Sequence, residues 1–78
     1  MSRPVKRSLT LNGHRTSVSL EDEFWRAFRA LAARQGLPLN VLAAEIDAAR
    51  GPDAGLATAI RLYVLAELCK IAGQPDGF

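Results

Sequence analysis

Arg15, Ser17 and Ser19 stand at alternate positions in one short run, Arg15-Thr16-Ser17-Val18-Ser19-Leu20. In an extended strand alternate side chains share a face. One face would then carry a guanidinium and two hydroxyls, and the other Thr16, Val18 and Leu20. Guanidinium and hydroxyl groups are hydrogen-bonding groups able to read the edges of bases. The opposite face is suited to burial. A lone strand of this kind has an unsatisfied edge and needs a partner, and a second copy of the same strand is the obvious candidate.

The surrounding charge points the same way. Arg3, Lys6, Arg7 and Arg15 fall within the first fifteen residues, His14 lies beside them, and the first acid is Glu21. A basic arm of this kind suits nucleic-acid phosphates, whose neutralisation releases condensed counterions. A merely solvated basic terminus is the alternative on charge alone. The net charge of +2 is too small to mark a strong polyanion binder, so the distribution says more than the sum.

Other chemistries find little material. Acid–base or nucleophilic catalysis needs titratable groups brought together, and the chain offers one histidine and one cysteine. His14 reads as a turn-flanking residue and Cys69 as a reduced thiol on a helix without an activating cluster. Asp22 and Glu23 read as helix-capping acids, and Glu45 and Asp47 as a solvated helix face. There is no Cys/His set for zinc and no glycine loop for phosphates. The sequence therefore implies no enzyme, no metal and no cofactor. Phe24, Trp25 and Phe28 sit at helical spacing and read as core, not as a base-stacking platform.

The elements that must position these residues follow from periodicity. Lys6-Arg7-Ser8-Leu9-Thr10-Leu11 alternates and runs into Asn12-Gly13, a strong signal for a two-residue hairpin turn. A type I′ turn there would face Leu11 with His14, Thr10 with Arg15, Leu9 with Thr16 and Ser8 with Ser17. Leu9, Leu11, Thr16, Val18 and Leu20 would share the inner side, with Arg7 beside them near the strand's start. Lys6, Ser8, Thr10, Arg15, Ser17 and Ser19 would share the outer side. Residues 1–13 thus form either a basic arm or a first hairpin strand, Met1 to Pro4 reading as disordered, and residues 14–20 form the ribbon strand.

Helix one is expected over residues 22–35, capped by Glu21 or Asp22, with Phe24, Phe28, Leu31 and Ala32 buried and Trp25 at the border. Asp22 and Arg26 can pair across one turn. Gly36 suits a left-handed stop. Helix two spans 38–50, with Pro38 in its first turn and Leu39, Leu42, Ala43, Ile46 and Ala49 as its stripe. Gly51 to Gly55 breaks the chain. Helix three covers 56–72, with Leu56, Ile60, Val64, Leu68 and Ile71 on one broad face, before a tail at 73–78. Leu62, Leu65, Ala59 and Ala66 cover much of the remainder of helix three, so it asks for cover on several sides.

Seventy-eight residues make one small domain, and 49% of them are hydrophobic. With neither disulfide nor metal to complete a small fold, association is expected, as a homodimer. No apolar leader or membrane span is evident, so the reading is cytoplasmic.

A strand of the form Arg-Thr-Ser-Val-Ser-Leu, an acidic turn, a helix ending at Gln35-Gly36-Leu37 and a second helix opening near Leu39-Asn40 resemble the ribbon-helix-helix family of Arc, MetJ and CopG type. The opening Lys-Arg-Ser-Leu-Thr-Leu-Asn-Gly-His-Arg-Thr-Ser-Val run and the added helix are similar to a short bacterial variety. The resemblance implies a mainly α fold with a short antiparallel β-ribbon, formed as an intertwined twofold dimer plus a C-terminal third helix. It implies a homodimeric DNA-binding protein, a transcriptional regulator, whose partners are a second copy and double-stranded DNA. Arg15, Ser17 and Ser19 would face the bases in the major groove. Asn40 would hold a phosphate at the start of helix two, and Lys6 and Arg7 would add basic contacts. Pro38 stands where the family has a capping Ser or Thr. With the Asn12-Gly13 hairpin in both subunits the sheet would be four strands wide, about 14 Å, against a groove about 12 Å wide. The alternative is a dimeric protein–protein interaction module that keeps the scaffold without sequence-specific DNA binding.

Overall fold

The computed structural model describes residues 2–73. The chain runs β1 (Val5–Leu11), β2 (His14–Leu20), α1 (Asp22–Gln35), α2 (Leu39–Ala49) and α3 (Leu56–Ile71). Met1 and the tail from Gln74 onward, including the expected frayed end, lie outside the described residues.

The two strands form one antiparallel hairpin, and among the described residues it is the whole sheet. Asn12 (φ 52°) and Gly13 (φ 85°) both adopt left-handed backbone, as a type I′ turn requires. The turn fixes the register, from Leu11 opposite His14 to Val5 opposite Leu20.

Alternation then delivers Leu9, Leu11, Val18 and Leu20 to the core, together with Phe28, Leu31 and Ala32 from α1. Leu42, Ala43 and Ile46 of α2 and Ile60 and Val64 of α3 complete it. Gly36 ends α1 in the left-handed region (φ 69°), and the Leu37 N–H donates to the Ala32 carbonyl at 3.0 Å. This Schellman-type closure turns the chain sharply into α2. Pro38 precedes α2 as its cap residue, and its fixed φ suits that place.

α3 packs on α1, α2 and β2, while its Leu62, Leu65, Leu68 and Ile71 remain exposed, the surface for which a second copy was expected to give cover. Three features differ from the reading of the sequence. Thr16 shares its face with Val18 but is exposed; it lies near the turn, at the mouth of an open cleft lined also by Asp47, Arg50 and Leu56. On α3 the buried residues are Ile60, Val64 and Cys69, whereas Leu68 and Ile71 are exposed along with Leu62 and Leu65. The cap oxygen of α1 comes from neither Glu21 nor Asp22. Ser2, in the stretch expected to be disordered, accepts the Asp22 N–H on its hydroxyl at 3.1 Å and hydrogen-bonds Glu23.

Candidate nucleic-acid interface

The outer face of the hairpin carries six side chains, all exposed: Lys6, Ser8 and Thr10 from β1, and Arg15, Ser17 and Ser19 from β2. They stand in three rows, Lys6 with Ser19, Ser8 with Ser17, and Thr10 with Arg15. The cations occupy diagonal corners and hydroxyls fill the rest. Neither a carboxylate nor an apolar side chain interrupts the face.

Asp47 of α2 lines one cleft with Arg15 and pairs with Arg50 at 2.7 Å, and the three acids at the start of α1 each have a partner of their own. Glu21 accepts from Arg61 (Nη2 2.8 Å, Nε 2.9 Å). Asp22 pairs with Arg26 at 2.9 Å and with Arg7 at 3.4 Å. Glu23 is held by Ser2. The Glu21 carboxyl is pulled below its ordinary value first by its own backbone amide and then by Arg61. Ser2 does the same for Glu23, followed by that residue's own amide. Both remain ionised near neutrality, and their charge is directed to these partners rather than to the outer face.

The strand edges are asymmetric. A two-residue turn makes the Leu11–His14 pair hydrogen-bonded, so the N–H and C=O groups of residues 6, 8, 10, 15, 17 and 19 point outward from the ribbon's edges. On the β1 edge the Thr10 N–H donates to the Asn40 Oδ1 at 3.1 Å. On the β2 edge the Ser19 carbonyl accepts from the Arg61 Nη2 at 3.3 Å, and the Arg61 guanidinium also lies 5.8 Å from the Phe24 ring centre.

The six residues expected to meet DNA therefore separate into three settings. Lys6, Arg15, Ser17 and Ser19 share the open face. Arg7 faces the other way, with its side chain 21% exposed; its guanidinium lies 5.4 Å from the Trp25 ring centre. Its Nε is buried without a hydrogen-bond partner, so the ring face and Asp22 are what compensate the charge. Asn40 sits at the N-terminus of α2 with its carbonyl oxygen engaged by β1, leaving its NH₂ as the group able to donate to a phosphate. Arg61 was not expected at the ribbon. It is 42 residues from Ser19, and no local pattern announces a contact made only when α3 folds back. Ser8 and Thr10 join the face through strand alternation.

A two-stranded ribbon leading into two short helices joined by a tight left-handed turn is the ribbon-helix-helix arrangement, here with a third helix added. The sequence matches the ribbon-helix-helix domain over residues 4–68, which takes in β1 and most of α3, and the chain belongs to that family. The family's fold is that of DNA-binding, transcription-regulator-like proteins. No curated protein and no solved structure matches the chain. Among the described residues no helix is long and apolar enough to cross a membrane.

Proposed function

We propose that this chain is a DNA-binding transcriptional regulator that acts in the cytoplasm as a homodimer and places the outer face of its hairpin in the major groove. The observation that carries the reading is that face: six exposed hydrogen-bonding side chains, two of them cationic, on a ribbon narrow enough for the groove. Arg15 is the base-reading residue, because a guanidinium can bond a guanine edge in bidentate fashion. Ser17 and Ser19 bond bases or phosphates beside it. Lys6 supplies phosphate contacts, and the Asn40 amide adds one at the start of α2. Arg7 serves the fold and reaches DNA only through the position it gives β1.

A gel-shift against genomic DNA fragments tests the proposal. Arg15→Ala is expected to cost about 1–3 kcal/mol of affinity with the fold intact. If binding survives Arg15→Ala, Ser17→Ala and Ser19→Ala combined, the ribbon is not the reader.

One observation favours the second reading, a protein-interaction module. The stripe Leu62, Leu65, Leu68 and Ile71 on α3 is 45–59% exposed, and contiguous exposed apolar surface often marks an association site. Substituting Leu65 and Leu68 with lysine separates the readings. DNA binding by the folded variant places recognition on the hairpin, with the stripe reserved for association.

A further inference from the structure

A cleft of about 440 Å³ opens where the turn end of the hairpin meets α2 and α3. His14, Arg15 and Thr16 of β2 line it, with Asp47 and Arg50 from the end of α2 and Leu56 from the start of α3. That volume lies within the range of small-molecule sites. Its charges are unequal. The one carboxylate, Asp47, accepts from the Arg50 Nε at 2.7 Å, and the Arg50 Nη1 donates to the Ala54 carbonyl at 2.8 Å. These two bonds fix the guanidinium and leave its Nη2 group unengaged. The side chains of His14, Arg15 and Thr16 have no partner among the described residues. Arg15 is thus a cation without a counter-charge, and Arg50, His14 and Thr16 add hydrogen-bond donors around it. Two other clefts make the contrast: one is lined by Glu45, the other by Glu45 and Glu67, and neither by a cation.

We infer that this cleft is a phosphate site, with Arg50 as its anchor and His14, Thr16 and the rim residue Arg15 as further donors. A guanidinium held in place matches the oxygens of a phosphate in bidentate fashion. The donors come from β2 and from the end of α2, so they approach from more than one side. A phosphate offers oxygens in several directions, whereas a carboxylate offers two in one plane. Asp47 is a positioning residue here, spending its charge on the arginine that does the holding. Leu56 gives the cleft an apolar wall, suited to the carbon skeleton attached to the phosphate. Two sources carry such a group, the DNA backbone and a small phosphorylated molecule. Arg15 belongs both to the cleft and to the outer face of the hairpin, so DNA lying on that face brings its flanking phosphates to the rim. That source rests on the DNA-binding reading above; the site itself does not. Arg50 then adds affinity without sequence information. A small phosphorylated molecule in the same place would compete with DNA for Arg15.

The test compares the full chain with Arg50→Gln, circular dichroism confirming the fold of each. In the first arm a fluorescein-labelled pool of randomised duplexes of about 20 base pairs is read by anisotropy from about 50 to about 200 mM NaCl. Arg50→Gln is expected to weaken binding about three- to tenfold and to reduce the slope of log affinity against log salt by about one, as the loss of one phosphate contact does. In the second arm sodium pyrophosphate is titrated into the protein alone at constant ionic strength, read by the ¹H–¹⁵N shifts of His14, Arg15 and Thr16. Occupation of the cleft by a small phosphorylated ligand gives saturation that Arg50→Gln weakens by about tenfold or more. A change of slope without saturation assigns the cleft to the DNA backbone. Saturation without a change of slope assigns it to a small phosphorylated molecule, and both together mean that the two compete for one site. An unchanged slope together with no saturable shift at these three amides overturns the inference. Should Arg50→Gln not fold, Thr16→Glu, which puts a carboxylate at the exposed mouth of the cleft, takes its place with the same losses expected. A chain that binds no duplex at low salt removes the DNA-binding reading and leaves the pyrophosphate arm to decide the site.

Discussion

The two faces of the hairpin are made by the same fourteen strand residues and have opposite fates. The inner face gives Leu9, Leu11, Val18 and Leu20 to the core, each at most 9% exposed. The outer face keeps six polar side chains in water. Alternation alone separates them, so a one-residue slip would bury the cations and expose the leucines. Folding free energy should therefore depend on one face and ligand binding on the other. The largest expected effect tests the first half of that division. Leu20→Asp places a carboxylate in a fully buried position opposite Val5, with no cation across the strand, at a cost of about 4 kcal/mol or more. A domain this small has little stability to spare, and circular dichroism at 25 °C should show it unfolded. A native spectrum would mean that the inner face does not hold the fold together.

Two arginines eight residues apart sharpen the division. Arg15 is exposed on the outer face, and Arg15→Ala should lower DNA affinity by about 1–3 kcal/mol and leave the melting temperature within experimental error. Arg7 lies over Trp25 and bonds Asp22, and Arg7→Ala should lower stability by about 1–2 kcal/mol. DNA affinity of the folded Arg7→Ala protein should fall little, with an unchanged slope against salt. Were Arg7→Ala to weaken DNA binding as much as Arg15→Ala at equal folded fraction, charge rather than the face that carries it would be the determinant.

Residues close in sequence were legible and contacts between distant ones were not. Asn12-Gly13 implies the turn, the turn implies the register, and the register implies which side chains share a face. Phe28, Leu31 and Ala32 follow from helical spacing, and Gly36 follows from the need for a left-handed stop. Placing Arg7 with the inner residues also followed from parity alone. The misreadings involve α3, the N-terminus and Thr16, which parity places on the inner side but which lies exposed near the turn. The apolar residues of α3 gave no decision between a second subunit and the hairpin of its own chain as cover, because hydrophobicity records the need for burial and not its partner. Arg61 at Ser19 and Ser2 at Asp22 are 42 and 20 residues apart, and a polar side chain at such a distance carries no periodic signal. At the candidate site the outward residues could be read, but the engagement of Asn40 by Thr10 could not.

The smallest effect concerns the end of the hairpin that meets α1. Ser2 receives the Asp22 N–H and bonds Glu23, a capping arrangement supplied from outside the helix. Ser2→Ala should lower the melting temperature by about 2–4 °C at neutral pH. The pH dependence identifies the cause. Glu23 and Glu21 both titrate below their ordinary value of 4.5 in the folded chain. A carboxyl with a depressed folded pKa contributes stability above its unfolded value and loses it as pH falls through the folded one. The native chain should therefore lose stability on acidification below 4.5. Ser2→Ala removes the main cause for Glu23 and leaves that for Glu21, so the acid loss should become shallower without vanishing. Thermal melts of both proteins from pH 6 to pH 3 measure this. An equal slope would mean that Ser2 steadies α1 only through the Asp22 amide, and that the outer face lies free of Glu23 for another reason.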